Sequence, residues 1–178
     1  MGGSVARRYA RALFGIGVDA GKFEALGAEL GELAALWNES DELRQALENP
    51  VFRPEQKRAV LENILPRVAP TPEVQRFVLL LLDRRRIMLL PAIARAYRDL
   101  TDAQLGQVRA EVTSAQELAP ATLDRVRRSL EQRTGKKVIV SSKVDPELIG
   151  GLVARVGDLV LDGSVRTQLD DLRTRLLN

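Results

Sequence analysis

The sequence predicts a mainly helical chain, with a six-helix bundle over residues 1–105 and a small α/β domain over residues 106–178. Three observations carry this reading. Up to about Leu105 apolar residues recur at 3.6-residue spacing. Proline and glycine cut that pattern into six short pieces. At Gly106 the spacing changes to alternation, the period of a strand.

Each element has its own warrant. The first helix is expected from Ser4, an N-cap type, to about Gly17. The second covers about Lys22 to Ser40, with Phe23, Leu26, Leu30, Leu33 and Trp37 on one stripe. A short third follows Asp41 and ends before Asn49-Pro50. The fourth begins near Pro54, a residue suited to a first helical position, and stops near Pro66. The fifth starts at Thr71-Pro72-Glu73, and the sixth runs from about Leu89 to Leu105. Short connections between six helices imply a bundle.

Beyond Gly106, "QVRAEVTSA" puts Val108, Ala110, Val112 and Ser114 on one face and Arg109, Glu111 and Thr113 on the other. A helix from Ala119 to about Thr134 turns Leu123, Val126 and Leu130 inward. "KKVIVSSKV" is a second strand. "VARVGDLVLD" reads as a hairpin around the pair Gly157-Asp158. A last helix from Ser164 onward carries Val165, Leu169, Leu172 and Leu176 on one stripe.

Composition removes several chemistries. The chain has no cysteine and no histidine. Thiol nucleophiles, the common zinc sites and the usual neutral-pH base are therefore out of reach. The net charge is +3; residues 1–105 hold 15 basic and 14 acidic residues, and the remainder 12 and 10. Neither half is the basic block expected of a nucleic-acid footprint. The apolar run "FVLLLL" is six residues long, against about 20 for a membrane span, so direct membrane insertion is not expected. The amphipathic, arginine-bearing opening has the look of a transit peptide, but its helical pattern continues without a cleavage-like break. It is read as part of the mature chain.

The adjacent glycines Gly150-Gly151 raise the possibility of a phosphate loop. No Walker or dinucleotide pattern surrounds them. Asp145 can instead cap one helical turn, with Pro146 at its first position. Gly150 then supplies the left-handed residue that ends the turn, and Gly151 leads into the hairpin. The acidic pairs Asp145 with Glu147 and Asp170 with Asp171 lack a calcium-loop pattern. No catalytic residue, metal, cofactor or small-molecule ligand is expected. The clusters "RRYAR" and "DRRRI" admit phosphate contact by Arg7, Arg8, Arg11 and Arg84 to Arg86, which makes a helical nucleic-acid-binding module the alternative function. They equally suit a solvated helix face and a helix C-terminus.

Two helices have unusually wide apolar surfaces. On the first, Val5, Tyr9, Ala12, Leu13 and Ile16 form one stripe, and Ala6, Ala10, Phe14 and Gly17 a second beside it. On the fifth, Leu79, Leu80 and Leu82 widen the stripe of Val74, Phe77, Val78 and Leu81. Such helices can bury each other or leave a groove for a partner's helix. The pattern fits both.

The whole chain resembles the delta subunit of the F-type ATP synthase, the oligomycin-sensitivity-conferring protein of mitochondria. The resemblance rests on "ARRYARALF", on "RRIMLLPAIARAYRDL" with Arg86, Leu90, Ile93 and Tyr97, and on "AEVTSA". Its most specific part runs from Asp145 and Leu148 through Gly150-Gly151, Arg155 and Gly157 to "DGSVRTQLDDL". Ala154 departs from the pattern, where a larger aliphatic residue is usual.

The resemblance implies a non-catalytic stator subunit of a peripheral membrane complex, on the cytoplasmic face of the bacterial plasma membrane. The first domain would bind the N-terminal helices of the alpha subunits, and the second the b subunits of the peripheral stalk. It places a groove for an alpha-subunit helix on the first and fifth helices. Ala6, Ala10, Phe14, Leu79 and Leu80 are expected to line it, with Tyr9 and Leu13 packing the bundle. A charge at Ala10 is expected to abolish docking and leave helicity intact. The stalk is expected to meet the hairpin and the last helix, at Val165, Leu169, Leu172 and Leu176. Gly150, Gly151, Gly157, Asp145 and Arg86 are expected to be structural.

Overall fold

The computed structural model describes residues 2–146, 148, 151–157 and 159–162. The chain is mainly helical, with a small four-stranded sheet toward its C-terminus. It divides into two compact units, Met1–Thr101 and Asp102–Asn178.

The first unit contains α1 (Gly2–Asp19), α2 (Phe23–Glu39), α3 (Asp41–Glu48), α4 (Pro54–Val68) and α5 (Pro72–Asp83). A 3-10 turn (Ile87–Leu89) leads into α6 (Leu90–Gln104). Ser40 separates two of these helices by itself. Its N–H closes the last turn of α2 on the Leu36 carbonyl, and its Oγ accepts the Leu43 N–H of α3 at 3.2 Å. Gln56 caps α4 by accepting the Arg53 N–H through Oε1 at 2.9 Å. Contrary to the expected stop, α4 runs two residues past Pro66. A proline in the last turn forfeits one intrahelical bond, and the helix ends at left-handed Ala69 instead. Glu29 ties α2 to the start of α5 by accepting both the N–H and the hydroxyl of Thr71 at 2.8 Å.

The core follows the helical stripes. Leu26, Leu30, Leu33 and Trp37 of α2 are buried with Leu13, Val78, Leu81 and Ile93. Each such leucine contributes about 1.5–3 kcal/mol on burial. Tyr97 of α6 is fully buried, its ring edge-on to Phe14 at 5.5 Å, and its hydroxyl donates to the Phe23 carbonyl at 2.9 Å. Desolvation pushes its phenol from 10.0 up to about 12. The folded state thus favours the neutral phenol, so this contribution is complete below pH 10 and is lost as pH rises toward 12. We expect about 1 kcal/mol to be gone by pH 11 and roughly 2 by pH 12. Denaturation midpoints at pH 9 and 11.5 check this. Tyr97→Phe should remove that part of the slope, and an unchanged slope would discard the assignment.

The second unit has β1 (Gln107–Ser114), α7 (Pro120–Thr134), β2 (Lys137–Val144), β3 (Leu152–Val156) and β4 (Leu159–Asp162), in sheet order β2-β1-β3-β4. β1 and β2 are parallel and joined through α7; β3 is antiparallel to both β1 and β4. Val156 pairs with Leu159, leaving a two-residue link at which Gly157 has φ 57°. Ala110, Val112, Leu130, Val138, Ala154 and Val156 form the core. At the start of the unit, buried Asp102 accepts from Arg109 through two nitrogens, at 2.6 and 3.1 Å.

Near the glycine pair, the Asp145 N–H bonds the Ser114 carbonyl, and the Leu148 N–H bonds the Asp145 carbonyl. Gly151 has φ 79°. Gly150 lies outside the described residues, as does the last helix expected from Ser164 onward.

Candidate partner-binding surface

The face that α1 turns to the core is Ala6, Ala10, Leu13 and Gly17, all buried. The small side chains allow close approach. A Cβ on Gly17 would lie 2.9 Å from the Phe23 Cα. Larger residues take the flanks. Phe14 is half-buried on one side, edge-on to Phe23 and Tyr97. Tyr9 lies on the other, edge-on to Phe77 of α5 at 6.2 Å. Ala12 and Ile16 share the Tyr9 flank and are exposed, Ile16 at 51 %.

The five residues expected to line one groove are therefore not brought together. Ala6 and Ala10 are core residues, 1 % and 0 % exposed, and have no surface to offer a docked helix. Phe14 faces α2 and α6, Leu79 is half-buried, and Leu80 is exposed at 42 %. Outside the core, Tyr9 packs on Phe77 of α5, Ala12 and Ile16 are exposed on the same flank of α1, and Leu80 is exposed one turn after Phe77 on α5. Both apolar stripes of α1 were visible in the sequence. Which one faces inward is set by the small residues, because only that face permits α1 to approach its neighbours closely.

The arginines divide. Arg84, Arg85 and Arg86 form the stop of α5. The Arg86 N–H reaches back to the Leu81 carbonyl, and Arg85 takes φ 54°. The Arg86 side chain donates to the Tyr9 hydroxyl at 3.0 Å and its guanidinium lies 5.5 Å from the Tyr9 ring centre. It is thus committed to joining α1 with the end of α5. Arg7 and Arg11 line a small cleft of about 140 Å³ with Asp99 of α6. An acid in that cleft opposes phosphate binding there.

Val165, Leu169, Leu172 and Leu176 lie outside the described residues. Among the described residues no acidic cluster could hold a metal ion, and no helix is long and apolar enough to cross a membrane.

The chain thus combines a helical unit that exposes apolar residues on α1 and α5 with a small α/β unit. Residues 5–176 match the family described as ATP synthase delta (OSCP) subunit, and the chain belongs to that family. It is a structural, non-catalytic subunit of ATP synthase. It is 43% identical over 174 residues to the ATP synthase subunit delta of Anaeromyxobacter dehalogenans, covering 98% of this chain and 97% of that one. The subunit delta of Geobacter metallireducens is 41% identical over 170 residues, covering 96% and 94%. In fold, the chain matches one in the cryo-EM structure of the Toxoplasma gondii mitochondrial ATP synthase hexamer. The TM-score is 0.76 at 22% identity, covering 97% of both chains.

Proposed function

We propose that this chain is a peripheral-stalk (stator) subunit of a proton-translocating F-type ATP synthase. It links the alpha subunits of the catalytic head to the b subunits, at the cytoplasmic face of a bacterial plasma membrane. Rotation drives synthesis only if the head is held still while the shaft turns, so the joint must resist torque and needs no chemistry of its own. The observation that carries the reading is the family match across residues 5–176, with an apolar flank left open on α1 beside α5. That flank suits the apolar face of an amphipathic alpha-subunit helix. The nucleic-acid alternative is not favoured, since Arg86 is held by Tyr9 and Arg7 and Arg11 share their cleft with Asp99.

Titration of the full chain with a peptide from the matching alpha subunit's N-terminus tests the head contact. Ile16→Glu and Leu80→Glu, both at exposed positions, should each weaken binding by about tenfold or more, equivalent to about 1.4 kcal/mol, with helicity unchanged. Binding of the unaltered chain should survive added salt, unlike phosphate contact. Undiminished binding by both variants would remove the α1–α5 flank from the contact. The stalk contact is proposed for residues 106–178. Deleting them should abolish binding to the b subunits and spare binding to the head, and loss of both would contradict this division.

A further inference from the structure

The last turn of α6 is tied to the strand that follows it. Only Leu105 and Gly106 separate α6 from β1. The backbone closes this corner: the Gly106 N–H donates to the Ala103 carbonyl at 3.2 Å, and Gly106 takes φ 64°, a conformation that suits glycine. β1 then returns two side chains to α6. The Arg109 guanidinium donates from Nε to Oδ2 of Asp102 at 2.6 Å and from Nη2 to Oδ1 at 3.1 Å, a forked pair. The Gln107 amide adds a longer bond to Oδ1 at 3.3 Å. Gln107 and Arg109 are two residues apart, so both rise from one face of β1, opposite the core residues Ala110 and Val112.

This ion pair differs from the rest. Asp102 is 6 % exposed and is the one buried charged side chain among the described residues. The other ion pairs among those residues join partners that are both exposed, and such pairs contribute little. A carboxylate out of water depends on its partners. Without them it is a buried charge that α6 can relieve only by moving its end into solvent. The tie also sits where the chain divides, since the helical unit ends at Thr101 and Asp102 opens the α/β unit. We propose that Asp102, Gln107 and Arg109 form a latch that fixes the last turn of α6 to β1. Closed, the latch makes residues 102–107 an integral corner of the α/β unit; open, the same residues become a flexible linker. The inference is read from the α/β unit's own geometry and stands without the stator reading. Under that reading it gains a purpose, because the segment joining the two units bears load. A helix end held on a strand yields less than a free linker.

Amide hydrogen exchange of the full chain, resolved along the sequence, tests the latch. Arg109→Lys keeps the charge but loses the fork, and Asp102→Asn keeps the shape but loses the charge. Either change should speed exchange at residues 103–107 by about tenfold or more, and leave residues 90–98 and 152–156 within about twofold of the unaltered chain. A rise shared equally by residues 152–156 would make the pair a general support of the sheet. No rise in either variant would show that the corner holds without it. Both results overturn the latch. The chain has no native cysteine, so a nitroxide on Leu105→Cys, at an exposed position, gives a second reading. Its spectrum should report an ordered backbone when Asp102 and Arg109 are intact, and faster motion once Arg109→Lys is added. A spectrum that is the same in both backgrounds would also overturn the proposal.

Discussion

Ala10→Glu should strongly destabilise the helical unit, not merely block its docking. Ala10 is 0 % exposed and packs in the cluster that holds Ala6, Leu13, Leu30 and Tyr97. A glutamate there must either bury a carboxylate in an apolar site, protonate at a cost, or push α1 outward to reach water. Overpacking alone costs about 1–3 kcal/mol, and the buried charge raises the total to about 3–5. Against a typical domain stability of about 5–15 kcal/mol, that is a large share. Thermal melting followed by helical circular dichroism should show a midpoint lowered by ten degrees or more, on the order of 4–8 °C per kcal/mol for a unit of this size. Ile16→Glu on the exposed flank should stay within about 0.5 kcal/mol of the unaltered chain. An unchanged Ala10→Glu midpoint would return that residue to the surface and restore the groove expected from sequence.

That contrast marks where the sequence was legible. The α2 stripe, the strand alternation after Gly106 and the Gly157 hairpin each have a single period and one apolar face, so burial could go only one way. In α1 two apolar stripes adjoin. Periodicity locates such stripes but does not rank them; the ranking came from Ala6, Ala10 and Gly17, whose size lets the helix come close. The restricted role of Arg86 was hidden for a different reason. Tyr9 and Arg86 are 77 residues apart, and no local pattern announces a contact across that distance. The position of the α4 end likewise depends on how much one lost hydrogen bond at Pro66 matters against the burial of Leu61 and Leu65, a comparison that helix propensity alone does not make.

Gly17→Ala should destabilise the chain even though the same change at Gly31 stabilises it. Both glycines lie inside helices, where alanine is favoured over glycine by about 1 kcal/mol. At Gly31 an added Cβ meets nothing within 4 Å, so most of that gain should appear in the midpoint. At Gly17 it would lie 2.8 Å from the Tyr97 Oη and 2.9 Å from the Phe23 Cα. The hydroxyl cannot swing away without leaving the Phe23 carbonyl it bonds. The Cα belongs to the first residue of α2 and moves only if that helix start moves. Overpacking of about 1–3 kcal/mol therefore outweighs the propensity gain. In a double-mutant cycle, Tyr97→Phe should recover only part of the loss, because the backbone contact remains. If Gly17→Ala proves as stabilising as Gly31→Ala, the close approach of α1 to α2 is wrong. If it destabilises, peptide docking supplies a further readout. A shifted α1 carries Tyr9, Ala12 and Ile16 with it, so affinity for the alpha-subunit peptide should fall although Gly17 itself is buried away from that surface.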